Sequence, residues 1–270
     1  MNKYSIAALF TALLFAYRSH YSSANKGKQN FEIKEPTLFI HGYAGNYFSF
    51  VRMIKRFERK KWGKKNCTII VSPKGKLLIK GEPKSLIQVL FLENRDIVDH
   101  QVNWIWKILN ILKNKYGISS VNIVAHSMGC ISILKYLNQF AYNSINAHIS
   151  KVVTMGAPFN DVEVGKRTPY IENHRLTNDG PVKMSPLYKW MRKNNIGIPL
   201  ETEFLNIAGN LQNGTKSDGQ VSVNSVLSLR YLLRDATRQY HEFIVYGKHA
   251  AHSLLHENED IDNKIEEFLR

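Results

Sequence analysis

One stretch constrains the fold of this chain more than any other. Residues 121–129 read Val-Asn-Ile-Val-Ala-His-Ser-Met-Gly. An apolar, β-branched run stops at a serine, and helical periodicity begins directly after it and continues to Phe140. A strand that turns at once into a helix holds the turn residue in a strained backbone conformation, so its neighbours two positions away must be small. Ala125 and Gly129 meet that requirement around Ser127. The helix also begins with free N–H groups aimed at the serine, where they favour developing negative charge. The plain alternative is a buried serine capping a helix. The strand before and the helix after favour an activated nucleophile.

The rest of the chain fits around such a turn. Buried-strand runs are expected at Thr37–Ile40, Cys67–Val71, Leu86–Leu92, Val121–Ala125, Ile149–Met155, Phe204–Ala208 and Glu242–Tyr246. A hairpin extension is expected at Lys76–Lys80. Between the strands, apolar residues recur at helical spacing over Tyr47–Lys61, Asp96–Tyr116 (ended by Gly117), Met128–Phe140, Val221–Ala236 and Asp260–Leu269. Strands alternating with helices predict a mostly parallel sheet covered on both faces. No internal repeat or linker breaks the pattern. Phe159–Glu203 does interrupt the rhythm, with Pro169, Pro181, Pro186 and Pro199. It is too long for a bare loop. The expectation is one domain over 25–270, with a cap or lid inserted at about 160–203.

Lys and Arg number 37 against 22 Asp and Glu, a net charge of +15. Such a surplus attracts polyanions: nucleic acid, anionic lipid or a wall polymer. The first residues choose among them. Lys3 precedes an apolar run from Ile6 to Tyr17, and small residues follow at Ser22-Ser23-Ala24. The run is shorter than a comfortable membrane span, so residues 1–24 are expected to be a signal peptide or short signal-anchor. The protein is then secreted or held at the cell surface, away from nucleic acid. Lys55, Arg56, Arg59, Lys60, Lys61, Lys64 and Lys65 concentrate positive charge there. They are a solvated helix end and loop, or an anchoring patch for an anionic membrane or wall polymer. Cys67 and Cys130 are the only cysteines; two exclude a disulfide scaffold or a Cys-rich zinc module, and the sequence does not say whether they pair.

The 125–129 segment resembles the nucleophile elbow of α/β-hydrolases, with Ala125 in place of the usual first glycine. His41-Gly42-Tyr43-Ala44-Gly45, 86 residues before Ser127, resembles the His-Gly loop of lipases and esterases. By that resemblance the backbone N–H groups of Tyr43 and Met128 form an oxyanion hole. In this fold the acid and then the histidine follow the nucleophile. Asp218 is the only acid in the loop after Phe204–Ala208, and a helix-capping role before Val221 is compatible with it. After Glu242–Tyr246, His249 and His252 compete for the base.

Over most of residues 35–270 the chain resembles the Gram-positive cell-surface α/β-hydrolases of unassigned function. The likeness rests on His41-Gly42, Ala125–Gly129, Gly156-Ala157-Pro158-Phe159-Asn160, Ser217-Asp218-Gly219 and His252-Ser253-x-Leu255-His256-Glu257-Asn258. It implies an α/β-hydrolase fold and makes His252 the triad histidine. The expected chemistry follows: Ser127 attacks an ester carbonyl, His252 takes its proton, Asp218 orients the imidazole, and water releases the acyl-enzyme. No metal or organic cofactor is needed. The expected substrate is a small-molecule or lipid ester; thioesterase and acyltransferase chemistry use the same triad. Tyr43, Tyr47, Phe48 and Phe159 are candidates to shape an acyl pocket, or are core aromatics.

Other readings are weaker. His252 and His256 share the i, i+4 spacing of zinc ligands, but Ser253 stands where the glutamate of that motif belongs. His126 reads as structural filler of the elbow. A non-catalytic envelope-binding protein on a hydrolase scaffold has the same fold, because fold does not dictate function.

Overall fold

The computed structural model describes residues 33–161, 171–194, 198–234, 237 and 239–270. The expected export segment, residues 1–24, lies outside the described residues. Strands are β1 (Thr37–Ile40), β2 (Lys65–Val71), β3 (Leu77–Gly81), β4 (Leu86–Phe91), β5 (Ser120–His126), β6 (His148–Met155), β7 (Leu176–Thr177), β8 (Gly180–Pro181), β9 (Glu203–Asn210) and β10 (Tyr240–Tyr246). Helices are α1 (Phe48–Arg59), α2 (Val98–Tyr116), α3 (Met128–Phe140), α4 (Pro186–Asn194), α5 (Val223–Leu227), α6 (Leu229–Leu233) and α7 (Glu259–Leu269). Two 3-10 turns, Lys248–Ala250 and His252–Glu257, precede α7.

Eight strands form one sheet in the order β10-β9-β6-β5-β1-β4-β2-β3. All neighbours pair parallel except β2 and β3, the expected hairpin. The chain builds outward from β1 to one side, then returns to β5 and builds to the other. The loops leaving β1 and β5 therefore diverge, and a crevice opens at the carboxyl ends of these strands. Ser127 and His41 both stand there.

The apolar runs are continuous because both faces of the sheet are covered. All four residues of β1 are buried. Phe39 faces α1, its ring 5.5 Å from Phe50 and 5.9 Å from Phe57. Leu38 and Ile40 point the other way, into a core shared with Val102, Ile105, Leu109 and Leu112 of α2 and with Ile131 and Leu134 of α3. The apolar stripe read from the sequence of α2 is the buried one. Gly117 ends that helix in the left-handed conformation, φ 69°, and Ile118 N–H closes onto Leu112 O at 3.0 Å.

The helix expected over Val221–Ala236 is instead two short ones, α5 and α6, meeting at Ser228. The Ser228 hydroxyl donates to Ser225 O at 2.6 Å, and its carbonyl accepts from the Tyr188 hydroxyl at 3.0 Å. A serine satisfied locally in this way offers the backbone an alternative to helix continuation. Within the expected cap, 160–203, the structure describes the β7–β8 ribbon and α4; Tyr188 and Met191 of α4 are buried in the main core. Residues 162–170 and 195–197 of it lie outside the described residues. Cys67 and Cys130 are free, buried thiols. Among the described residues, no helix is long and apolar enough to cross a membrane.

One member of the basic cluster is not a surface charge. Arg56 is buried. It binds Asp262 of α7 through Nε at 2.5 Å and Nη2 at 3.1 Å, and donates to His256 O at 2.9 Å. Helix periodicity turns this position inward, beside Phe57, while Lys55 and Arg59 remain outward. Its planar fork matches a carboxylate two-to-two. Arg56 thus ties α1 to the segment that begins with His252. Replacing Arg56 by Ala would strand the fully buried Asp262 carboxylate. The expected loss is about 3–5 kcal/mol of unfolding free energy, measured by urea denaturation; a loss under about 1 kcal/mol, the level of an exposed pair, would contradict this role.

Candidate active site

Ser127 sits in the turn from β5 to α3 at φ 53°, ψ −126°, a positive-φ conformation outside the left-handed helical well that non-glycine residues rarely hold. The packing around it explains the small neighbours. A Cβ on Gly129 would lie 2.7 Å from His41 O, and one on Gly42 would lie 2.8 Å from the Ser127 Cβ. The two strand-end loops therefore interleave with no room for side chains, and the Gly42 backbone lies against the serine.

Ser127 Oγ is 3.0 Å from His252 Nε2, and His252 Nδ1 is 2.7 Å from Asp218 Oδ2. The three residues come from the loops after β5, β9 and β10, at separations of 125 and 34 residues. Asp218 is 2% exposed. Its other oxygen, Oδ1, accepts from Gln220 N–H at 2.9 Å and Val221 N–H at 2.7 Å. The carboxylate is thus held on one side by two backbone donors and faces the imidazole with the other. His252 N–H also donates to Asp218 O at 2.8 Å, which locks the two loops together.

The other histidines divide by environment. His126 Nε2–H donates to His252 O at 2.9 Å. Burial, with His252 and His256 nearby, holds its pKa well below the ordinary imidazole value, so it is a neutral prop. His41 is also buried; its Nδ1–H donates to Gly42 O at 2.9 Å, and its Nε2 accepts from Phe91 N–H at 3.1 Å. Burial lowers its pKa, consistent with that neutral tautomer. His249 is exposed. His256 is half-buried, its ring 5.2 Å from that of His126. Among the described residues, no group of three or more His, Cys, Asp or Glu is arranged to hold a metal.

The Gly42–Tyr43 peptide is pinned from its carbonyl side. Gly42 O accepts from His41 Nδ1–H and, at 3.1 Å, from Gly45 N–H. The peptide is trans, so the Tyr43 N–H points the opposite way. The loop is held further by Ala44 N–H to Asn94 O at 2.7 Å and Asn94 Nδ2 to Gly45 O at 2.8 Å. Met128 opens α3, so its N–H has no carbonyl four residues back within the helix.

These residues border a cleft of about 850 Å³ whose walls include Tyr43, Arg95, Ser127, Asp161 and His252. Three of the aromatics proposed for an acyl pocket are not in its wall. Phe159 is completely buried in the core, because its loop turns it beneath the sheet end; Tyr47 and Phe48 are exposed, packing edge-to-face on each other at 5.6 Å. Asp161 was not foreseen. It follows the Gly156–Asn160 run directly, and only the folding of the loop after β6 beside the Asp218 loop brings it to the cleft.

The comparisons agree with this architecture. A Listeria innocua protein, the product of gene lin2722, is 26% identical with a TM-score of 0.80, covering 88% of this chain and 94% of that one. A Lactobacillus plantarum protein described as a candidate cell surface hydrolase is 20% identical with a TM-score of 0.69, over 88% and 90% of the two chains. The Pyrococcus furiosus esterase Pf2001 is 14% identical with a TM-score of 0.53, over 89% and 81%. No curated protein matches the chain. The family described as alpha/beta hydrolase of unknown function (DUF915) matches residues 24–270. With its mostly parallel sheet and helices on both faces, the chain belongs to this α/β-hydrolase family.

Proposed function

We propose that the protein hydrolyses carboxylic esters through an acyl-enzyme, with Ser127 as nucleophile, His252 as general base and acid, and Asp218 as the group that orients and charges the imidazole. The observation that carries this reading is the unbroken line Asp218 Oδ2–His252 Nδ1, His252 Nε2–Ser127 Oγ, at 2.7 and 3.0 Å. Both spacings lie in the range that proton transfer requires. Tyr43 N–H and Met128 N–H serve as the oxyanion hole. The strained turn that presents Ser127 and the helix N-terminus behind it support the same chemistry. We place the protein at the cell surface or outside it, on the strength of the N-terminal sequence pattern; the outward lysines and arginines of 55–65 would then meet anionic lipid or wall polymer.

The test is incubation of the full-length chain with a fluorophosphonate probe and with p-nitrophenyl esters of short and long acyl chains. Labelling of Ser127 with ester turnover is expected. A folded sample that neither labels nor turns over would sink the reading in favour of a binding scaffold.

His41 enters the same chemistry indirectly, since it pins the peptide that carries the Tyr43 N–H. His41→Ala is expected to lower kcat by roughly 10- to 100-fold, somewhat less than deleting an oxyanion donor outright, with KM for p-nitrophenyl acetate little changed. A rise in KM at constant kcat would assign His41 to substrate binding instead.

A further inference from the structure

Among the described residues that line the cleft, Arg95 is the one lysine or arginine and Asp161 the one acid. They differ in access. Asp161 is 8% exposed, whereas Arg95 is exposed. The charge that the described wall offers to an entering molecule is therefore mainly positive. Arg95 stands in the turn from β4 to α2, and the backbone there is anchored. Phe91 N–H donates to His41 Nε2 at 3.1 Å, Ala44 N–H to Asn94 O at 2.7 Å, and Asn94 Nδ2 to Gly45 O at 2.8 Å. The residue before Arg95 is thus bonded, through its backbone and its side chain, to the loop that carries the Tyr43 N–H. The acids beside Arg95 in the chain do not neutralise it. Asp96 accepts from Ile97 N–H at 2.8 Å and lies 2.6 Å from His100 Nδ1, and Asp99 pairs with Lys135. Glu93 is exposed. Arg95 itself makes no hydrogen bond or ion pair with a described residue.

We propose that Arg95 is a specificity-determining residue that receives an anionic group carried by the substrate, a carboxylate or a phosphate, at a distance from the ester carbonyl that meets Ser127. The proposal rests on the ester-hydrolase reading above. A planar guanidinium matches either group with two parallel hydrogen bonds. In the sheet order β4 stands two strands from β5, about 10 Å at the usual strand spacing. The arginine side chain covers part of that span, so the anion belongs several bonds from the scissile carbonyl and not next to it. The plain alternative is a solvated surface arginine; the anchored turn and the place in the cleft wall favour a ligand. The net charge of +15 acts in the same direction, because it draws anionic substrates toward the protein before a local contact sorts them.

Esters matched in shape test this with the full-length protein at neutral pH and fixed ionic strength. On the acyl side, monomethyl glutarate is compared with methyl 4-carbamoylbutanoate. On the alcohol side, 4-carboxyphenyl butyrate and 4-(butyryloxy)phenyl phosphate are each compared with 4-carbamoylphenyl butyrate. The readout is the charged-to-neutral ratio of kcat/KM in the native protein, in Arg95→Gln and in Lys55→Gln. Comparing proteins cancels the intrinsic reactivity of the esters. Lys55→Gln removes the same unit of charge from the outward face of α1, so it reports the general field of the protein. Arg95 is exposed and bonded to no described residue, so its variant should keep the native urea midpoint. The ratio is expected to fall about tenfold in Arg95→Gln for at least one pair and to stay near the native value in Lys55→Gln. The pair that falls tells whether a carboxylate or a phosphate is received, and on which side of the ester. Unchanged ratios in every pair would overturn the proposal. An equal fall in Lys55→Gln would overturn it too, by assigning the preference to net charge, and so would equal losses on charged and neutral esters, which would make Arg95 structural. Fluorophosphonate labelling of native Ser127 separates the two levels. Without labelling the hydrolase reading fails and this one with it; with labelling, unchanged ratios overturn the Arg95 assignment alone.

Discussion

Ser127→Ala is expected to leave the fold intact and to lower kcat on p-nitrophenyl esters by about 10⁴-fold or more, with complete loss of fluorophosphonate labelling. Alanine shares the Cβ of serine, so it meets the same φ of 53° with the same strain, and it removes only the hydroxyl that faces His252 at 3.0 Å. Neither cysteine offers a replacement nucleophile. The free thiols are buried, and burial pushes the Cys67 thiol up to about 11 and that of Cys130 higher still. Thermal unfolding should shift little. Residual labelling at another site, or activity within tenfold of native, would remove Ser127 from the mechanism.

The second large effect concerns charge and tautomer. Asp218→Asn should lower kcat by about 10⁴-fold, the scale seen when a triad acid is made neutral without moving it. The surroundings dictate how the amide would sit. Gln220 N–H and Val221 N–H both donate to Oδ1, so an asparagine is held with its oxygen on that side and its NH₂ toward His252 Nδ1. A donor there requires Nδ1 to accept, which moves the imidazole proton to Nε2. The ring then presents an N–H to Ser127 and has no lone pair to take its proton. The same contacts predict that stability changes little, since every backbone donor keeps its acceptor. The check is kcat beside the urea midpoint. An active Asn variant would show that Asp218 only caps the turn before Val221.

Much of the fold was legible because its signals are local. The β1 run ends where the sequence says, and the α2 stripe is the buried face. Gly117 stops that helix through a φ that only glycine takes easily. Where the reading went astray, a contact from a distant segment had decided the matter. The break at Ser228 is stabilised by Tyr188, 40 residues away. Arg56 looked like part of a charged surface, and it is buried because Asp262, 206 residues on, stands opposite it. Phe159 was open between pocket lining and core, and its burial makes it core.

The candidate site divides along the same line. The sequence by itself determined the turn at Ser127, the small residues around it, the glycine loop at His41 and the order of the candidate acid and base. Each depends on a few adjacent residues and on steric rules that act within a turn. Spacing left His249 and His252 open, the family resemblance named His252, and the fold puts its Nε2 3.0 Å from Ser127 Oγ. Tertiary structure alone decided that His41 pins the loop carrying Tyr43 and that Asp161 stands in the cleft wall with an unpaired oxygen. Those facts depend on where the ends of β1, β5, β6, β9 and β10 come together. Sheet pairing between segments far apart in the chain sets that convergence, and no short-range pattern encodes it.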